Sequence, residues 1–186
     1  MRVTMIRHTA VDVPAGVCYG QSDVPLKDTF PQEAEKVQEN LIAEIETSSH
    51  NFDGVFRSPL SRCGRLAEAC GYADAISDNR LLEMNFGEWE MLSYDDIKDP
   101  RLQEWYDNWQ EVAPTGGESF SDQLRRIKNF LDEKAAEGYQ DILIFAHAGV
   151  IMNTLLLIGR AQTSNLFDHQ PPYGGIVTLT YPPSTL

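Results

Sequence analysis

The segment Asp141-Ile-Leu-Ile-Phe-Ala-His147-Ala-Gly-Val150 is the most informative stretch of the chain. Its first six residues are largely apolar and show no polar alternation, which is typical of a strand buried on both faces of a sheet. An apolar helix is predicted over residues 150–158, directly after this strand. A buried strand that leads into a helix is the repeating unit of a parallel sheet covered by helices, and His147 stands at the junction.

The same alternation of strands and helices is predicted along the rest of the chain. Further strands are predicted over residues 2–6, 54–57, 76–83 and 176–181, and further helices over residues 31–46, 58–70 and 119–137. We expect Ser58 to cap the second of these helices, Pro59 to be its first residue and Gly71 to end it. The sequence therefore predicts an α/β fold, a three-layer α/β/α sandwich with a mostly parallel central sheet.

A chain of 186 residues is long enough to bury its own hydrophobic core, so we expect a single domain over residues 1–186. Residues 86–117 interrupt the alternation, because they hold all three tryptophans together with two prolines and the pair Gly116-Gly117. We interpret them as an irregular, part-helical insertion. Residues 11–25, rich in Gly, Pro and Asp, are predicted to form a long loop.

The formal charge of −13 excludes several classes of partner. An acidic chain repels nucleic acids and anionic membranes, and no basic stripe is present, so neither is expected as a partner. The apolar stretches are too short to span a bilayer and the N-terminus lacks a signal-peptide pattern, which predicts a cytoplasmic location. If such a chain binds a small anion, its few arginines must be gathered in one pocket.

Cysteine and histidine patterns argue against disulfides, metals and organic cofactors. The three cysteines form no CxxC motif, and Cys63 and Cys70 are expected to pack as small buried hydrophobes. Neither HExxH, a calcium loop nor a glycine-rich nucleotide loop is present, so no metal and no cofactor is expected. His50 is predicted to lie in a solvated loop, and His169 is a less favoured candidate for a substrate contact.

Polar residues follow the predicted strands at the sheet edge where ligands usually bind. They are Arg7-His8, Arg57-Ser58, Glu83 and His147. A neutral imidazole is a competent nucleophile toward phosphorus, and guanidinium groups match phosphoryl oxygens. A second histidine can stabilise the charge of the transferring group, and a carboxylic acid can protonate the leaving oxygen. This combination favours phosphoryl transfer, although His8 alone could equally be a hydrogen-bonded residue near a strand end, and His147 alone could be a capping histidine bonded to the backbone.

Spacing alone does not decide which arginine is the second phosphate ligand or which glutamate is the general acid. Arg62 is predicted in the first turn of a helix, where anions bind, and is preferred to Arg57 and Arg65 as the second phosphate ligand. It could also be an ordinary surface arginine. The candidates for the general acid are equally suited by residue type, and they are Glu83, Glu88 and Glu90.

Five motifs in this order resemble the histidine phosphatase superfamily, whose fold is the phosphoglycerate mutase-like fold. They are Arg7-His8-Thr9, Gly20-Gln-Ser-Asp23-Val-Pro25-Leu26, Ser58-Pro59-Leu60-Ser-Arg62, Leu82-Glu83 with Phe86-Gly87-Glu-Trp89-Glu90, and His147-Ala-Gly149-Val-Ile151. The resemblance implies that His8 is the phosphorylated nucleophile and Glu83 the proton donor. It also implies that Arg7, Arg62 and His147 bind the phosphate, without metal or organic cofactor.

The sequence departs from the family's usual Arg-His-Gly-Glu-Thr, since Thr9-Ala-Val follows His8, and Pro14 stands near a usual Asn. We expect a backbone group or Tyr19 to replace that Asn. These departures, with the loop from Gly16 to Leu26, resemble the α-ribazole phosphatase branch of the family. The candidate substrate contacts are Thr9, Tyr19, Gln21 and Arg57.

The resemblance implies a small-molecule phosphate monoester as the partner, in the first instance α-ribazole 5′-phosphate. Two alternatives remain open. One is a broad or different phosphatase on the same fold, acting on a sugar phosphate or a nucleotide. The other is a non-catalytic phosphate-binding protein, against which the retention of His8, Glu83 and His147 argues. The sequence makes no prediction of oligomeric state.

Overall fold

The computed structural model describes residues 1–49 and 51–182, so His50 and its predicted loop lie outside the described residues. Five strands form one sheet in the order β3-β2-β4-β1-β5. They are β1 (Arg2–Arg7), β2 (Gly54–Arg57), β3 (Ile76–Ser77), β4 (Asp141–Ala146) and β5 (Ile176–Thr180). The first four run parallel and β5 pairs antiparallel with β1, which confirms a mostly parallel sheet.

Helices cover both faces of this sheet and confirm the three-layer sandwich. They are α1 (Phe30–Ser48), α2 (Ser61–Ala69), α3 (Arg101–Asp107), α4 (Phe120–Ala136) and α5 (Ala148–Leu157). On one face, Leu41 of α1 and Leu66 of α2 pack with Phe145 of β4. On the other face, Ile127 of α4 and Ile151 of α5 share a cluster with further β4 residues. Each such buried side chain contributes roughly 1.5–3 kcal/mol to folding. In the described part of the chain, no helix is both long and apolar enough to cross a membrane.

Strand β4 lies at the centre of the sheet, between β2 and β1, and all six of its residues are buried. This explains its uninterrupted apolar pattern, because a strand covered on both faces has no side for water. Helix α5 begins at Ala148, immediately after His147, so its N-terminus lies at the carboxyl end of the sheet. The chain order therefore fixes His147 at the edge where β1 also ends.

The start of α2 differs from the prediction that Ser58 caps the helix and Pro59 opens it. The helix begins at Ser61, and Leu60 occupies the N-cap position. Ser58 instead continues the sheet, since its backbone N–H donates to the Phe145 carbonyl (3.0 Å). The Ser58 hydroxyl lies 2.8 Å from His147 Nε2, so it binds a side chain across the sheet rather than the helix end.

The third strand is shorter than the predicted range of residues 76–83, although it lies at the edge of the sheet as expected. The Asp78 carboxylate accepts a hydrogen bond from the Arg80 backbone N–H (2.8 Å) and opens a 3₁₀ helix over Asn79–Leu81. This local bond turns the chain out of the sheet after Ser77. Contrary to the prediction, Glu83 therefore does not follow a strand directly but reaches the site from an irregular segment.

Residues 86–117 form two 3₁₀ turns, Gly87–Trp89 and Tyr94–Asp96, followed by α3. Trp89 is 1% exposed and packs with Cys18 and Ile97 in a small cluster separate from the two main ones. Its indole Nε1 donates to Asp99 Oδ2 (2.7 Å). The segment thus has packing of its own beside the sandwich.

The three cysteines are free and buried. Cys63 is fully buried on α2 and Cys70 is 7% exposed at its end, both within the cluster beneath α1. This confirms that they pack as small hydrophobes. Burial raises the pKa of the Cys63 thiol to about 12, so it stays protonated at neutral pH.

Candidate active site

A cavity of about 300 Å³ opens at the carboxyl ends of β1 and β4. Arg7 and His8 line it from the end of β1, and Ala148 and Gly149 line it from the start of α5. Glu83 lines it from the segment before the insertion. Ligands of open α/β sheets bind at this edge, so the location agrees with the sequence prediction.

His8 is held in one orientation and one tautomer. Its backbone N–H donates to the Ala146 carbonyl (3.0 Å), which extends the β1–β4 ladder by one residue. Its ring Nδ1 lies 2.8 Å from the Thr9 carbonyl oxygen. A carbonyl oxygen only accepts hydrogen bonds, so Nδ1 must carry the proton and Nε2 of the neutral ring keeps its lone pair.

The His8 ring is neutral because the site disfavours its charged form. Burial lowers the pKa of His8 to about 3, and the positive charges of Arg62 and Arg7 act in the same direction. The side chain is only 3% exposed. A histidine in this environment remains a free base far below the pH at which an ordinary histidine is protonated.

Arg7 lies against the cavity with part of its hydrogen-bonding capacity unused. Its Nη1 donates to the Pro171 carbonyl (2.7 Å), and its guanidinium carbon lies 4.0 Å from the centre of the Tyr173 ring. The Nε atom is buried and has no hydrogen-bond partner among residues 1–49 and 51–182. A buried unpaired N–H is costly, and an anion in the cavity would offset that cost.

Arg62 is fully buried, and its positive charge lowers the pKa of both His8 and His147. It donates to the backbone carbonyls of Ser22 (2.8 Å) and Gly20 (2.5 Å). Both belong to the predicted loop over residues 11–25. Its Nε is also unpartnered within the described part of the chain. The sequence predicted Arg62, rather than Arg57, as the second phosphate ligand. The charge of Arg62 acts on both histidines, but neither Arg62 nor His147 is among the residues that line the cavity.

His147 stands beside His8, with ring centres 5.2 Å apart. Its side chain is fully buried, and its Nε2 shares a 2.8 Å hydrogen bond with the Ser58 hydroxyl. Burial lowers the pKa of His147 well below its ordinary value, with Arg62 adding to the effect, so this ring is neutral too. The sequence did not identify Ser58 as a partner of His147, because Ser-Pro before a helix more often signals a cap.

Glu83 is held by three hydrogen-bond donors. Oε1 accepts from the Met84 backbone N–H (2.9 Å) and from Gln123 Nε2 (2.9 Å), and Oε2 accepts from the Gly149 backbone N–H (3.0 Å). The last donor belongs to the N-terminus of α5, where a carboxylate is favoured by the helix dipole. Glu83 is therefore fixed in the lining of the cavity, with Arg7 and His8, and we call the part that these three residues line the phosphate end.

Glu88 and Glu90, the other two candidates for the general acid, do not line the cavity. Glu88 is exposed and does not line the cavity. Glu90 accepts hydrogen bonds from the backbone N–H groups of Gln21 (2.8 Å), Ser22 (2.6 Å) and Phe86 (3.2 Å), so it ties the loop to the insertion. Of the three candidates only Glu83 faces the cavity.

Two buried amides behind Glu83 were not identified from the sequence. Gln123 is 1% exposed, and its Oε1 accepts from Asn153 Nδ2 (2.9 Å). Asn153 is fully buried and also donates to the Gly149 carbonyl (3.0 Å). Both lie on helix faces that are otherwise apolar, and a polar residue inside an apolar stripe is the only signal that could have indicated them.

The four candidate substrate contacts separate into two groups. Tyr19 lines the cavity, and its hydroxyl lies 2.8 Å from that of Tyr173. The other three side chains do not line it. Gln21 Nε2 donates to the Glu83 carbonyl (3.0 Å), Arg57 Nη1 donates to the Ser58 carbonyl (3.1 Å), and Thr9 acts on His8 through its backbone oxygen.

The comparisons with known proteins agree with this geometry. The family described as the histidine phosphatase superfamily (branch 1) matches residues 3–185. The adenosylcobalamin/alpha-ribazole phosphatase of Salmonella typhimurium is 30% identical over 171 residues, covering 88% of this chain and 80% of that protein. The Escherichia coli protein of the same name is 29% identical over 174 residues, covering 86% and 78%. The crystal structure of TTHB049 from Thermus thermophilus superposes with a TM-score of 0.76 at 27% identity, covering 98% of this chain and 95% of that one.

Proposed function

The chain belongs to the histidine phosphatase superfamily, and from this premise we propose that it hydrolyses a phosphate monoester through a phosphohistidine on His8. Membership and the names of its relatives make it a phosphatase. The covalent route, the roles of the individual residues and the substrate are our proposal. The substrate that we propose is α-ribazole 5′-phosphate.

One observation carries the proposed route, namely the hydrogen bond between His8 Nδ1 and the Thr9 carbonyl. It leaves the lone pair on Nε2, and the low pKa of His8 keeps the ring unprotonated at neutral pH. A neutral imidazole beside two arginines has the electronic state that a nucleophile toward phosphorus needs.

In the first step Nε2 of His8 attacks phosphorus and the bond from phosphorus to the ester oxygen breaks. This step requires Glu83 as the carboxylic acid, which transfers its proton to the departing oxygen. The phosphorylated ring gains a positive charge, which the Thr9 carbonyl stabilises through Nδ1–H. Arg7, Arg62 and His147 bind the phosphoryl oxygens as charge develops on them.

In the second step water attacks the phosphohistidine, and the phosphorus–nitrogen bond breaks. Glu83, now a carboxylate, accepts the proton of the water, and His8 leaves as the neutral imidazole. The sum of both steps is one ester and one water converted into one alcohol and one phosphate. The residues invoked carry this cycle without a metal, so we expect EDTA to leave the rate unchanged.

The choice of α-ribazole 5′-phosphate is supported by the names of the relatives and by the position of one loop. The named relatives of similar length act on alpha-ribazole compounds according to their names. The loop that resembles that branch also contributes to the site, since Gly20 and Ser22 hold Arg62 and Asp23 accepts from the Ser61 backbone N–H (2.9 Å).

The test is phosphate release by the purified protein from a panel of monoesters, compared by kcat/KM. The panel contains α-ribazole 5′-phosphate, ribose 5-phosphate, a nucleoside 5′-phosphate and phosphoserine. We expect α-ribazole 5′-phosphate to exceed the others by roughly a hundredfold, or about 2.7 kcal/mol of transition-state discrimination. A flat profile would leave the phosphohistidine chemistry and remove the proposed substrate, and no release from any ester would contradict the proposed function as a whole.

A further inference from the structure

The part of the cavity beyond the phosphate end is built from aromatic side chains. Tyr94 and Trp105 come from the insertion, and Trp109 follows α3 by two residues. Phe86 precedes the first 3₁₀ turn, Phe120 begins α4, and Phe167 belongs to the 3₁₀ helix Thr163–His169. We call these six residues the aromatic wall.

The rings of the aromatic wall hold one another in place. Trp109 packs edge-to-face on Phe120 with ring centres 4.9 Å apart, and its centre lies 5.3 Å from that of Phe167. Trp105 packs in the same manner on Phe86 at 6.4 Å and on the buried Trp89 at 5.6 Å. Such pairs add about 0.5–1.5 kcal/mol each beyond the area they bury. The two tryptophans are thus presented to the cavity by fixed neighbours.

Trp105 has a polar atom that its surroundings leave unpaired. Its indole Nε1 is buried, yet finds no hydrogen-bond acceptor among residues 1–49 and 51–182. Trp89, a neighbour in the same segment, donates its indole N–H to Asp99. Buried indole N–H groups normally have a partner, so the exception lies at the residue that lines the cavity.

The charges around the cavity restrict the leaving group. Among the described residues that line it, Arg7 is the only cation and Glu83 the only anion, and both lie at the phosphate end. A leaving group that carries a carboxylate would be placed against the negative faces of aromatic rings without a counter-ion. Burial of an unpaired anion is strongly unfavourable, so the wall discriminates against carboxylates.

We propose that the aromatic wall is the binding site for the leaving group, and that it selects a flat aromatic ring that carries a hydrogen-bond acceptor and no anionic group. The ring stacks against Trp105 and Trp109, and the acceptor takes the Nε1–H of Trp105. This rests on the proposed function, since α-ribazole has a bicyclic aromatic base with a ring nitrogen. It also goes beyond the proposed function, because it assigns the choice of substrate to residues outside the phosphate site.

The test compares esters whose leaving alcohols differ in shape but hardly in acidity. 2-Phenylethyl and 2-cyclohexylethyl phosphate have the same carbon skeleton, and only the first has a flat ring. We expect the wild-type protein to favour 2-phenylethyl phosphate in kcat/KM by roughly three- to tenfold, the range expected for ring stacking. A ratio near one, or a preference for phosphoserine over both, would overturn the proposal.

Two substitutions separate the ring of Trp105 from its N–H group. Trp105→Leu should bring the ratio of the two esters close to one. Trp105→Phe keeps a ring, so it should preserve this ratio while it lowers kcat/KM for α-ribazole 5′-phosphate, the ester with an acceptor. Tyr106→Leu is the matched control, because Tyr106 contacts Trp105 and is 52% exposed but does not line the cavity. Equal losses on all esters in both Trp105 variants would show a structural role only.

Failure of the proposed function can be told apart from failure of this inference. If α-ribazole 5′-phosphate is not preferred but 2-phenylethyl phosphate still exceeds its cyclohexyl counterpart, the aromatic wall stands and the named substrate falls. If no ester is hydrolysed, calorimetric titration with the same two phosphates decides. Tighter binding of 2-phenylethyl phosphate that Trp105→Leu abolishes would support the wall, and equal binding of both would overturn it.

Discussion

At the phosphate end of the cavity, His8 and His147 follow directly on central strands, whereas the aromatic wall comes mainly from a segment between the sheet and α4. The first end is lined by His8 and Arg7, which are 3% and 9% exposed, and the fully buried Arg62 and His147 act on His8 without lining the cavity. The second is assembled from rings, and it includes Phe167 at 61% exposure.

This difference indicates that the residues of the aromatic wall can change while those of the phosphate end stay in place. Residues on strand ends are fixed by the sheet register, so a nucleophile and its anion ligands keep their mutual distances while loops change. The insertion packs around Trp89 in a cluster of its own, and it can change the leaving-group site without moving the sheet. Substitutions at the phosphate end should therefore affect every ester, and those at the aromatic wall should affect only some.

The largest effect is expected for His8→Asn, which can still bind the Thr9 carbonyl but has no nucleophilic nitrogen. The rate of phosphate release should fall at least about a thousandfold on all esters, as when a covalent route is removed. His169→Asn is the control, because His169 is exposed and does not line the cavity. A near-normal rate for His8→Asn would show that His8 is not the nucleophile.

The pKa of His8 should be far below that of an ordinary histidine. Burial and two arginines lower its pKa in the folded protein from 6.5 to about 3. Between these values the unfolded chain binds a proton that the folded protein does not. The stability contributed by neutral His8 is therefore fully present above about pH 6.5 and is lost as the pH falls toward 3.

Ring ¹⁵N chemical shifts measure this ionisation directly. At pH 5 we expect His8 to remain neutral with the proton on Nδ1. In urea denaturation, His8→Asn should weaken the fall in stability between pH 6.5 and 4. A His8 midpoint near 6.5 would contradict the assignment of a buried free-base nucleophile.

A smaller and more selective effect is expected for Glu83→Gln. An amide cannot donate the proton that an alkoxide needs, whereas 4-nitrophenolate leaves without one. We therefore expect kcat/KM, which reports the first step only, to fall roughly a hundredfold on alkyl phosphates and little on 4-nitrophenyl phosphate. Glu88→Gln, at the exposed competitor, should leave both rates unchanged. Equal losses on both esters would exclude Glu83 as the acid.

Gly149→Ala should perturb the Glu83 carboxylate indirectly, by displacing it. A Cβ at this position would lie 2.2 Å from Glu83 Oε1 and 3.0 Å from Gln123 Oε1, so the carboxylate must move. We expect roughly a tenfold loss on alkyl phosphates, with thermal stability unchanged or raised, because alanine favours the helix. In the Glu83→Gln background the further loss should nearly vanish. Fully additive losses would show that Gly149 acts independently of Glu83.

The smallest effect on chemistry is expected inside the insertion, for Trp89→Phe. This change removes the N–H that binds Asp99, and it should lower the urea midpoint. The rate on ribose 5-phosphate, whose leaving group has no aromatic ring, should change less than about twofold, since nothing at the phosphate end moves. A tenfold loss of this rate would mean that the insertion also shapes the phosphate site, and the two ends would not be separable.

The sequence predicted the parts of the molecule that depend on local pattern. β4 and β2 have the predicted bounds, β1 extends one residue further than predicted, and Arg7, His8 and His147 meet because parallel strands end at one edge. The errors arose where distant residues compete with local preference. Ser58 binds a histidine 89 positions away instead of capping α2, and the Gln123–Asn153 pair becomes visible only when α4 packs on α5.

The sequence also predicted only part of the structure of the insertion, residues 86–117. Its irregular, part-helical character followed from its tryptophans, prolines and glycines, but no periodic pattern indicated which rings would face a ligand. Trp89 and Trp105 have similar sequence surroundings, yet one is buried against Asp99 and the other lines the cavity. Such a distinction depends on packing across the segment, which single-sequence pattern does not encode.

The most direct test of the account is to trap the phosphorylated protein during turnover. The protein is mixed with 4-nitrophenyl phosphate, quenched in alkali to preserve phosphohistidine, and examined by peptide mass spectrometry and ³¹P NMR. We expect one phosphoryl group, located on His8 and bonded to Nε2, since Nδ1 is held by the Thr9 carbonyl. Phosphate on His147, on Nδ1 of His8, or no covalent intermediate in a protein that turns over would contradict it.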